Sequence, residues 1–315
     1  MRILLLGRFR PERWVRLTTE ELFARAFDSL GCEIVRQEIR DGEEDALKAV
    51  SVAGADWVFV SKDFGMGVGF IQRLRSAAPK ARFAHWHFDS MYALGKLKWY
   101  EKIAPLFDVA FTKEKGLLEE FRKKGINGVY FDQGIDPEVT RPGLFRPSLS
   151  ADVGFLGTYY EGNERFKLLK GVSENFALRI WSQKPHKWKQ KGFESVEPPL
   201  FDEQVGDVCA SVKILLGINI THRIAGYWSN RHYLVTGAGG FYLCKYTPGL
   251  EEVFKNREHL VWFESIDEAI RLIRFYLSNE SERKRIAKNG MELTRSCYTY
   301  KQRAEHILKV LSSFQ

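Results

Sequence analysis

Short apolar runs alternate with helical patterns along this chain, stop once, and then begin again. The first series begins at Ile3–Leu6 and the second at Val153–Leu156. Between the two series, residues 137–150 contain three prolines and no periodic apolar signal, which is typical of a linker. Alternation of this kind favours a parallel sheet with helices on both faces. The sequence therefore predicts an α/β protein with two doubly wound domains, residues 1–140 and 150–298.

Two signals near the end of the chain mark expected helix boundaries. Ser265 followed by Glu268 has the capping-box spacing that starts a helix. The polar helical pattern Glu280–Lys288 is followed directly by Asn289-Gly290. Glycine commonly terminates helices, so we expect this helix to end there.

The composition excludes two classes of protein. With 44% hydrophobic and 28% charged residues among 315, the chain does not have the composition of a disordered segment. No apolar run approaches the roughly 20 residues that a membrane-spanning helix needs, and Ile3–Leu6 is too short for a secretory signal. The four cysteines are widely spaced and form no metal-ligand motif. We therefore expect reduced thiols, no bound metal and a cytoplasmic location.

The formal net charge is +8, which favours anionic partners such as nucleotide sugars, an anionic membrane surface or nucleic acid. The segment Lys184–Lys191 (KPHKWKQK) concentrates this charge, and Trp181 and Trp188 are interleaved with it. Such a segment could bind phosphates or stack on bases. A solvated surface loop without a partner is the alternative, and peripheral contact with a membrane also stays open.

The segment Tyr227–Phe254 has a glycine-rich turn at residues 237–240, followed by the turn Thr247-Pro248-Gly249. Glycine lets backbone N–H groups approach a ligand, and Pro then Gly suits the start of a helix, where phosphates bind. Arg231 and Lys245 flank these turns and could add charge-assisted bonds. The segment therefore predicts a diphosphate site, although ordinary turns between strands and helices explain the same residues.

The same segment resembles a known family. Arg231 with its aromatic neighbour, Tyr246–Phe254 (YTPGLEEVF) and Thr299–Arg303 (TYKQR) are similar to the C-terminal half of the CgeB-like (spore maturation protein) glycosyltransferases. Asp152–Tyr159 and Gly125–Asp136 extend the resemblance upstream. It places the chain with the group 1 enzymes, and it implies the GT-B fold, in which two Rossmann-like domains face each other across a cleft.

The resemblance also implies an activity. The protein would be an enzyme that moves a sugar from a nucleotide-diphosphate donor, in the simplest case a UDP-sugar, to a hydroxyl acceptor on a glycan, a protein or DNA. The second domain would hold the donor, and cations and backbone amides would stabilise the leaving diphosphate without a metal or other cofactor. The anomeric configuration would be retained. The terminal helix, residues 299–315, is expected to pack on the first domain.

We expect the donor to contact residues that follow strands of the second domain or lie in its turns: Gly157, Thr158, Tyr159, Arg165, His222, Arg223, Arg231, Gly239, Gly240, Lys245, Thr247, Pro248, Gly249, Leu250 and Glu251. On the acceptor side we expect Gly7 and Arg8, which follow the first strand. His87 and Asp89 follow another strand, and such a pair could activate an acceptor hydroxyl as general base. Hydrogen bonds that order a loop are the alternative role of this pair, and a metal site lacks a third ligand at supporting spacing.

One departure from the family pattern bears on function. Group 1 enzymes usually carry two glutamates, of which the second binds the ribose of the donor, and here Gly226 and Leu234 stand at their positions. Glu251 or Glu252 could bind a hydroxyl instead. Two alternatives therefore stay open. One is a DNA-base glycosyltransferase or other nucleic-acid binder, which the positive charge favours. The other is a GT-B protein without turnover that acts as a binding or coat component, which Leu234 favours.

Overall fold

The computed structural model describes residues 1–11, 17–61, 66–160, 164–200 and 204–314. The chain forms two compact units, each with its own parallel sheet. The first unit comprises Met1–Gln133 together with Tyr300–Gln315, and the second comprises Gly134–Thr299. The predicted fold class, an α/β protein of two Rossmann-like domains, is therefore confirmed.

The sheet of the first unit has the strand order β2-β1-β3-β4-β5-β6, with parallel neighbours throughout. Its strands are β1 (Arg2–Gly7), β2 (Glu33–Glu38), β3 (Trp57–Ser61), β4 (Arg82–His87), β5 (Val109–Thr112) and β6 (Gly128–Tyr130). Its helices are α1 (Thr19–Ser29), α2 (Glu43–Ala53), α3 (Val68–Ala77), α4 (Leu97–Ile103), α5 (Leu118–Lys123) and α12 (Tyr300–Ser312). Because side chains alternate along a strand, Ile3 and Leu5 pack with α1 and α12, whereas Leu4 and Leu6 pack with α2 and α3.

The terminal helix α12 supplies part of the core of the first unit. Tyr300, Ala304, Ile307 and Leu311 recur at helical spacing, and each is at most 3% exposed. The Tyr300 ring packs edge-on against Phe23 of α1, with ring centroids 5.0 Å apart. This apolar stripe is what holds the end of the chain on the first sheet.

The sheet of the second unit has the order β12-β11-β10-β7-β8-β9, again with parallel neighbours. Its strands are β7 (Ala151–Leu156), β8 (Leu178–Trp181), β9 (Val196–Glu197), β10 (Val212–Gly217), β11 (Tyr242–Lys245) and β12 (Val261–Phe263). Its helices are α6 (Glu164–Ser173), α7 (Pro185–Lys189), α8 (Val205–Ser211), α9 (Arg231–Gly237), α10 (Ile266–Ser278) and α11 (Glu280–Cys297). Numbered from β7, this is the order 3-2-1-4-5-6 of dinucleotide-binding folds, whose ligands bind beyond the carboxyl ends of the strands where the order reverses. That reversal lies between β7 and β10.

Helix α11 does not end where the sequence predicted. It passes through Asn289-Gly290 and continues to Cys297. At Gly290 a Cβ atom would overlap the main-chain oxygen of His259. The glycine therefore permits close packing against the loop before β12 and does not terminate the helix. The predicted capping box is confirmed, because Ser265 Oγ accepts the N–H of Glu268 at 3.2 Å.

Residues 137–150, predicted as a linker, lie in the second unit. Gly143 packs so closely against α8 that a Cβ atom would overlap the backbone at Asp207. The Asp207 carboxylate accepts the N–H of Leu144 at 2.8 Å and the Nε–H of Arg146 at 3.0 Å. The segment is therefore fixed to the second unit by close packing and by these bonds.

The described ranges contain no helix that is both long and apolar enough to cross a bilayer. Cys32, Cys209 and Cys244 are buried free thiols, and Cys297 is an exposed one. Burial raises the pKa of the Cys209 thiol to about 12, so this thiol stays protonated near neutral pH.

Candidate functional site

The second unit gathers most of the predicted donor residues at the carboxyl edge of its sheet. β7, β10 and β11 end there, and the loops that follow them carry Gly157–Tyr159, His222 with Arg223, and Thr247–Leu250. Helix α9 runs antiparallel to the strands and begins at this edge with Arg231. These residues therefore surround the reversal between β7 and β10, where doubly wound sheets bind their ligands.

Two arginines converge at the end of β10. Arg165, in the first turn of α6, donates from Nη2 to the main-chain oxygen of Ile218 at 3.0 Å and from Nη1 to that of Thr158 at 2.7 Å. Arg231 donates to the same Ile218 oxygen at 3.4 Å. Both guanidinium groups lie over the ring of Phe155, at 5.6 and 5.0 Å from its centroid. Two positive charges therefore share one small region at the reversal point.

No carboxylate in the described part of the chain forms an ion pair with either arginine. Arg165 is only 4% exposed, and burial together with the charge of Arg231 lowers the pKa of its guanidinium to about 9. Its Nε atom is buried and has no hydrogen-bond partner among the described residues. Like charges held this close repel each other, and a bound anion would relieve the repulsion.

Lys245 brings a third cation to this edge, at the end of β11. Its Nζ lies 2.8 Å from Oε2 of Glu164 in α6, and this bond lowers the pKa of the Glu164 carboxyl. The exposed Arg223 also lowers that pKa through its charge. Among the described residues discussed above, the cations at this edge outnumber the carboxylates, so the edge favours an anionic ligand.

His222 joins two of the edge loops through hydrogen bonds. Its Nδ1 lies 2.7 Å from Oγ1 of Thr247 and 3.1 Å from the main-chain oxygen of Tyr246. Its Nε2 accepts the N–H of Asn219 at 3.1 Å. The Asn219 amide donates to Thr247 Oγ1 at 3.2 Å and accepts the N–H of Ser229 at 3.0 Å. The loops after β10 and β11 are therefore held as one network.

The protonation state of His222 follows from these contacts. Burial, and then the charge of Lys245, lowers the pKa of the His222 imidazole to about 4. The ring is therefore neutral at pH 7. Because Nε2 accepts a main-chain N–H, the neutral ring carries its proton on Nδ1 and donates it toward Thr247 and Tyr246.

The turn Thr247-Pro248-Gly249 packs against Gly226. The N–H of Gly226 donates to the Pro248 oxygen at 2.9 Å, and Gly226 and Gly249 have left-handed φ angles of 75° and 91°. A side chain at either position would strain the backbone. The helix predicted to start after this turn is a single 3₁₀ turn, Leu250–Glu252, and Leu250 is fully buried.

At the two positions where the family carries glutamates, this chain has no charged side chain. Gly226 makes the backbone contact just described, and Leu234, within α9, packs against the apolar cluster that contains Tyr233. The carboxylate of Glu251 accepts the hydroxyl of Tyr246 at 3.0 Å. It is therefore already bonded within the protein.

Two predicted donor residues lie at the opposite edge of the sheet. Gly239 and Gly240 connect the end of α9 to β11, and a Cβ atom at Gly240 would approach Cys209 Sγ to 2.9 Å. A helix that begins at the carboxyl edge ends at the amino edge. The expected donor contact of these glycines is therefore corrected, because they form the turn that leads into β11 and do not lie with Arg231.

In the first unit, Gly7 ends β1 and Arg8 is exposed in the loop that follows. The carboxylate of Glu38 accepts the N–H groups of Phe9 and Arg10 at 3.0 and 2.9 Å. Two amides of this loop, those of Phe9 and Arg10, are therefore bonded to a protein carboxylate.

The predicted general base, His87, ends β4 and is fully buried. Its Nδ1 bonds to the main-chain oxygen of Asp89 at 2.8 Å, and the ring packs edge-on against Tyr100 with centroids 4.8 Å apart. These contacts correspond to the loop-ordering alternative. The role of His87 and Asp89 in catalysis stays a prediction.

Two charged residues that were not predicted to matter follow β5 and are fully buried. Glu114 accepts the hydroxyl of Ser90 at 2.6 Å and the N–H of Met91 at 3.1 Å, so it holds the loop after β4. Lys113 lies 3.0 Å from Asp132. Burial raises the pKa of Glu114 and lowers that of Lys113. The available signal was a Lys-Glu pair directly after the strand Val109–Thr112, whose first three residues are apolar.

The basic segment around α7 differs from the prediction in one respect. Its lysines are exposed, but Trp181 and Trp188 are 3% and 0% exposed. The Trp188 Nε1–H donates to Ser182 Oγ at 3.1 Å. The rings are therefore part of the core and do not form a surface on which bases stack.

Comparison with known proteins agrees with this geometry. Residues 165–309 match the model of a family described as glycosyl transferase-like. A search of curated proteins found no match. Solved structures with similar folds include sucrose-phosphate synthase from Thermosynechococcus elongatus (TM-score 0.73, 9% identity, 100% of this chain and 99% of that one). They also include Anabaena Alr3699/HepE in complex with UDP-glucose (0.67, 11%, 99% and 100%) and an alpha-glucosyltransferase in complex with UDP (0.68, 12%, 99% and 100%).

The structural similarity and the family match cover different parts of the chain. The structural similarity covers the whole chain at low identity, so it establishes the fold, which is the predicted GT-B fold with two Rossmann-like domains. The family match covers residues 165–309, which include Arg165, His222, Arg231 and the Thr247–Leu250 turn. The chain thus has the GT-B fold, and its residues 165–309 match a glycosyl transferase-like family, which supports the predicted glycosyltransferase enzyme.

Proposed function

We propose that this protein transfers a sugar from a nucleotide-diphosphate donor to a hydroxyl acceptor, and that the diphosphate binds at the carboxyl edge of the second sheet. The observation that carries the proposal is the convergence of Arg165 and Arg231 on the oxygen of Ile218, without a paired carboxylate in the described chain. A diphosphate would supply the negative charge that this pair lacks.

The two arginines have different parts in the proposed site. Arg165 is buried and bonded to main-chain oxygens, so it holds the loop after β7. Arg231 is less buried, and a Cβ atom at Gly157 would come within 2.9 Å of its Nη2. A glycine at 157 therefore leaves space beside Arg231, and we assign to Arg231 the direct contact with phosphate.

The proposed chemistry follows from the same charges. Arg231 and Lys245 would stabilise the diphosphate as the glycosidic bond breaks, which is the role that preorganised cations play for any developing anion. We infer that they suffice without a metal ion, and that the reaction retains configuration as in the group 1 enzymes. We also infer a CgeB-like branch, because the turn of its YTPGLEEVF pattern lies at this edge. Neighbours solved with UDP or UDP-glucose favour UDP as the first ligand to test.

Calorimetric titration of the protein with UDP tests the donor site. Wild type is expected to bind, and Arg231→Ala is expected to lose roughly thirty-fold or more in affinity, since truncating one side of a charge-assisted contact costs about 2 kcal/mol or more. The matched control is Arg271→Ala, which removes an exposed arginine of α10 in the same unit and should bind UDP as wild type does.

Release of UDP from UDP-glucose, measured on the same samples, separates an enzyme from a binding protein. Donor hydrolysis that disappears in Arg231→Ala supports the proposed transfer. Tight UDP binding without hydrolysis or transfer supports the non-catalytic alternative instead. Wild-type protein that binds no UDP-, GDP- or TDP-sugar contradicts the proposal.

A further inference from the structure

The loop after β7 carries two successive tyrosines whose rings have different surroundings. Tyr159 is 7% exposed, and its ring packs edge-on against the buried Trp188, with centroids 4.9 Å apart. Tyr160, the next residue, is 38% exposed. Of the two rings, that of Tyr160 is therefore the one that a ligand at the carboxyl edge can reach.

The Tyr160 ring lies on a fixed support. The guanidinium group of Arg165 lies over this ring, 5.1 Å from its centroid. Arg165 is itself held by its bonds to the main-chain oxygens of Thr158 and Ile218, at 2.7 and 3.0 Å. A ring that stacks on a fixed guanidinium is restricted in its motion, so a ligand that binds the ring loses little free energy in ordering it.

Arg165 is the only ring-stacking partner of Tyr160 among the residues that the structure describes, since no aromatic ring in those ranges contacts it. By contrast, two tyrosines in loops at the same edge pack against tryptophans: Tyr159 against Trp188, and Tyr246 against Trp262 with centroids 5.6 Å apart. The Tyr160 ring therefore presents an aromatic surface that the described chain does not cover.

This surface lies beside the proposed phosphate contact. Arg165 and Arg231 donate to the same main-chain oxygen, that of Ile218. Both guanidinium groups also lie over the Phe155 ring, so they are close together. A ligand that contacts Arg231 and the Tyr160 ring needs a diphosphate and a flat group a short distance from it. A nucleoside diphosphate combines these two parts.

The surroundings of the ring favour the base of the donor over its sugar. A nucleobase stacks on an aromatic ring through its flat face and needs no hydrogen bond to do so. A sugar has several hydroxyl groups, and each one that is buried without a partner weakens binding. The guanidinium beneath the ring is already engaged, because Nη1 and Nη2 donate to main-chain oxygens and Nε is buried.

We propose that Tyr160 is the stacking platform for the nucleobase of the donor. The inference rests on the proposed function, because it takes the diphosphate site at Arg231 as given. It adds a physical reason for a nucleotide donor: a diphosphate linked to an alkyl chain would fill the same phosphate site but has no flat ring to stack on Tyr160.

Calorimetric titration with UDP, UDP-glucose and inorganic pyrophosphate tests the proposal. Pyrophosphate has the diphosphate without a base, so its binding reports on the arginines alone. Tyr160→Ala is expected to lose roughly five-fold or more in affinity for UDP and for UDP-glucose, the loss expected when one base no longer stacks on an aromatic ring. Its affinity for pyrophosphate should match that of wild type.

Two further variants complete the experiment. Tyr160→Phe keeps the ring and should bind all three ligands as wild type does. The matched control is Tyr92→Ala, which removes a tyrosine of the first unit that is also 38% exposed, and it should leave the three affinities unchanged. Arg231→Ala should weaken the binding of all three, because each ligand carries the diphosphate.

The outcomes separate this inference from the proposed function. Pyrophosphate binding that depends on Arg231, with unchanged UDP affinity in Tyr160→Ala, overturns the stacking platform and keeps the diphosphate site. A loss for UDP-glucose alone places the sugar on the ring, and an equal loss for pyrophosphate gives Tyr160 a purely structural role. Either result overturns the inference. Wild-type protein that binds none of the three ligands contradicts both proposals.

Discussion

At the scale of single residues, the charge states at the carboxyl edge depend on burial more than on residue type. His222 is neutral because its ring lies inside a network with Thr247 and Asn219, where a proton would be poorly solvated. A histidine that follows a strand could equally have been a cationic phosphate contact. The structure instead gives the positive charge to the arginines, and it makes His222 a hydrogen-bonding link between two loops.

Stability against pH tests the state of His222. The unfolded-state pKa is 6.5 and the folded-state pKa about 4, so the unfolded chain binds more protons between these values. The folded state should therefore lose stability as pH falls from 6.5 toward 4, by about 2 kcal/mol between pH 7 and pH 5. Urea unfolding of His222→Gln should lack this loss, so its deficit relative to wild type should shrink by that amount at pH 5. His306→Gln, at an exposed position of α12, should keep the wild-type dependence.

At the scale of elements, some glycines have structural roles that the sequence alone did not distinguish. Asn289-Gly290 has the pattern of a helix end, yet α11 continues through it because His259 approaches the backbone there. The glycines at 239 and 240 have the pattern of a phosphate loop, yet they form the turn between α9 and β11. In each case a distant part of the chain decides the role.

A pair of glycine substitutions tests this distinction. Within a helix, Gly→Ala normally stabilises by about 1 kcal/mol. We expect Gly69→Ala in α3 to do so, since no atom lies within 4 Å of a Cβ built there. Gly290→Ala should instead lower the free energy of unfolding by roughly 1 to 3 kcal/mol through overlap with the His259 oxygen. Thermal and urea unfolding measure both changes, and equal stabilisation by the two substitutions would contradict the packing role of Gly290.

At the scale of the molecule, the chain returns to its first unit after completing the second. The core side chains of α12 share a cluster with α1, β1 and β3, so the first unit is complete only when the last residues are present. Residues that are far apart in sequence therefore stabilise one sheet.

Truncation of one α12 core residue tests this dependence. Ile307→Ala should lower the free energy of unfolding of the first unit by roughly 2 to 5 kcal/mol, because Ile307 is fully buried. Hydrogen exchange should then quicken at the amides of β1, while those of β10 keep their protection. His306→Ala, next to it on the exposed side of the helix, is the control and should change neither set. Equal quickening of β1 and β10 would mean that the two units unfold together.

The sequence by itself determined the two parallel sheets, because the alternation of apolar runs and helical patterns admits few other arrangements. It also indicated the loops after β7, β10 and β11, since ligands of such sheets bind at strand ends. It could not show that Arg165 and Arg231 share the Ile218 oxygen, that His222 is neutral, or that the tryptophans of the α7 segment face the core. Those facts depend on distances between residues remote in sequence, and only the packed tertiary structure sets such distances. Local patterns therefore predicted the elements and the edge that carries the site, and burial in the folded chain decided which side chains are charged, exposed and able to bind.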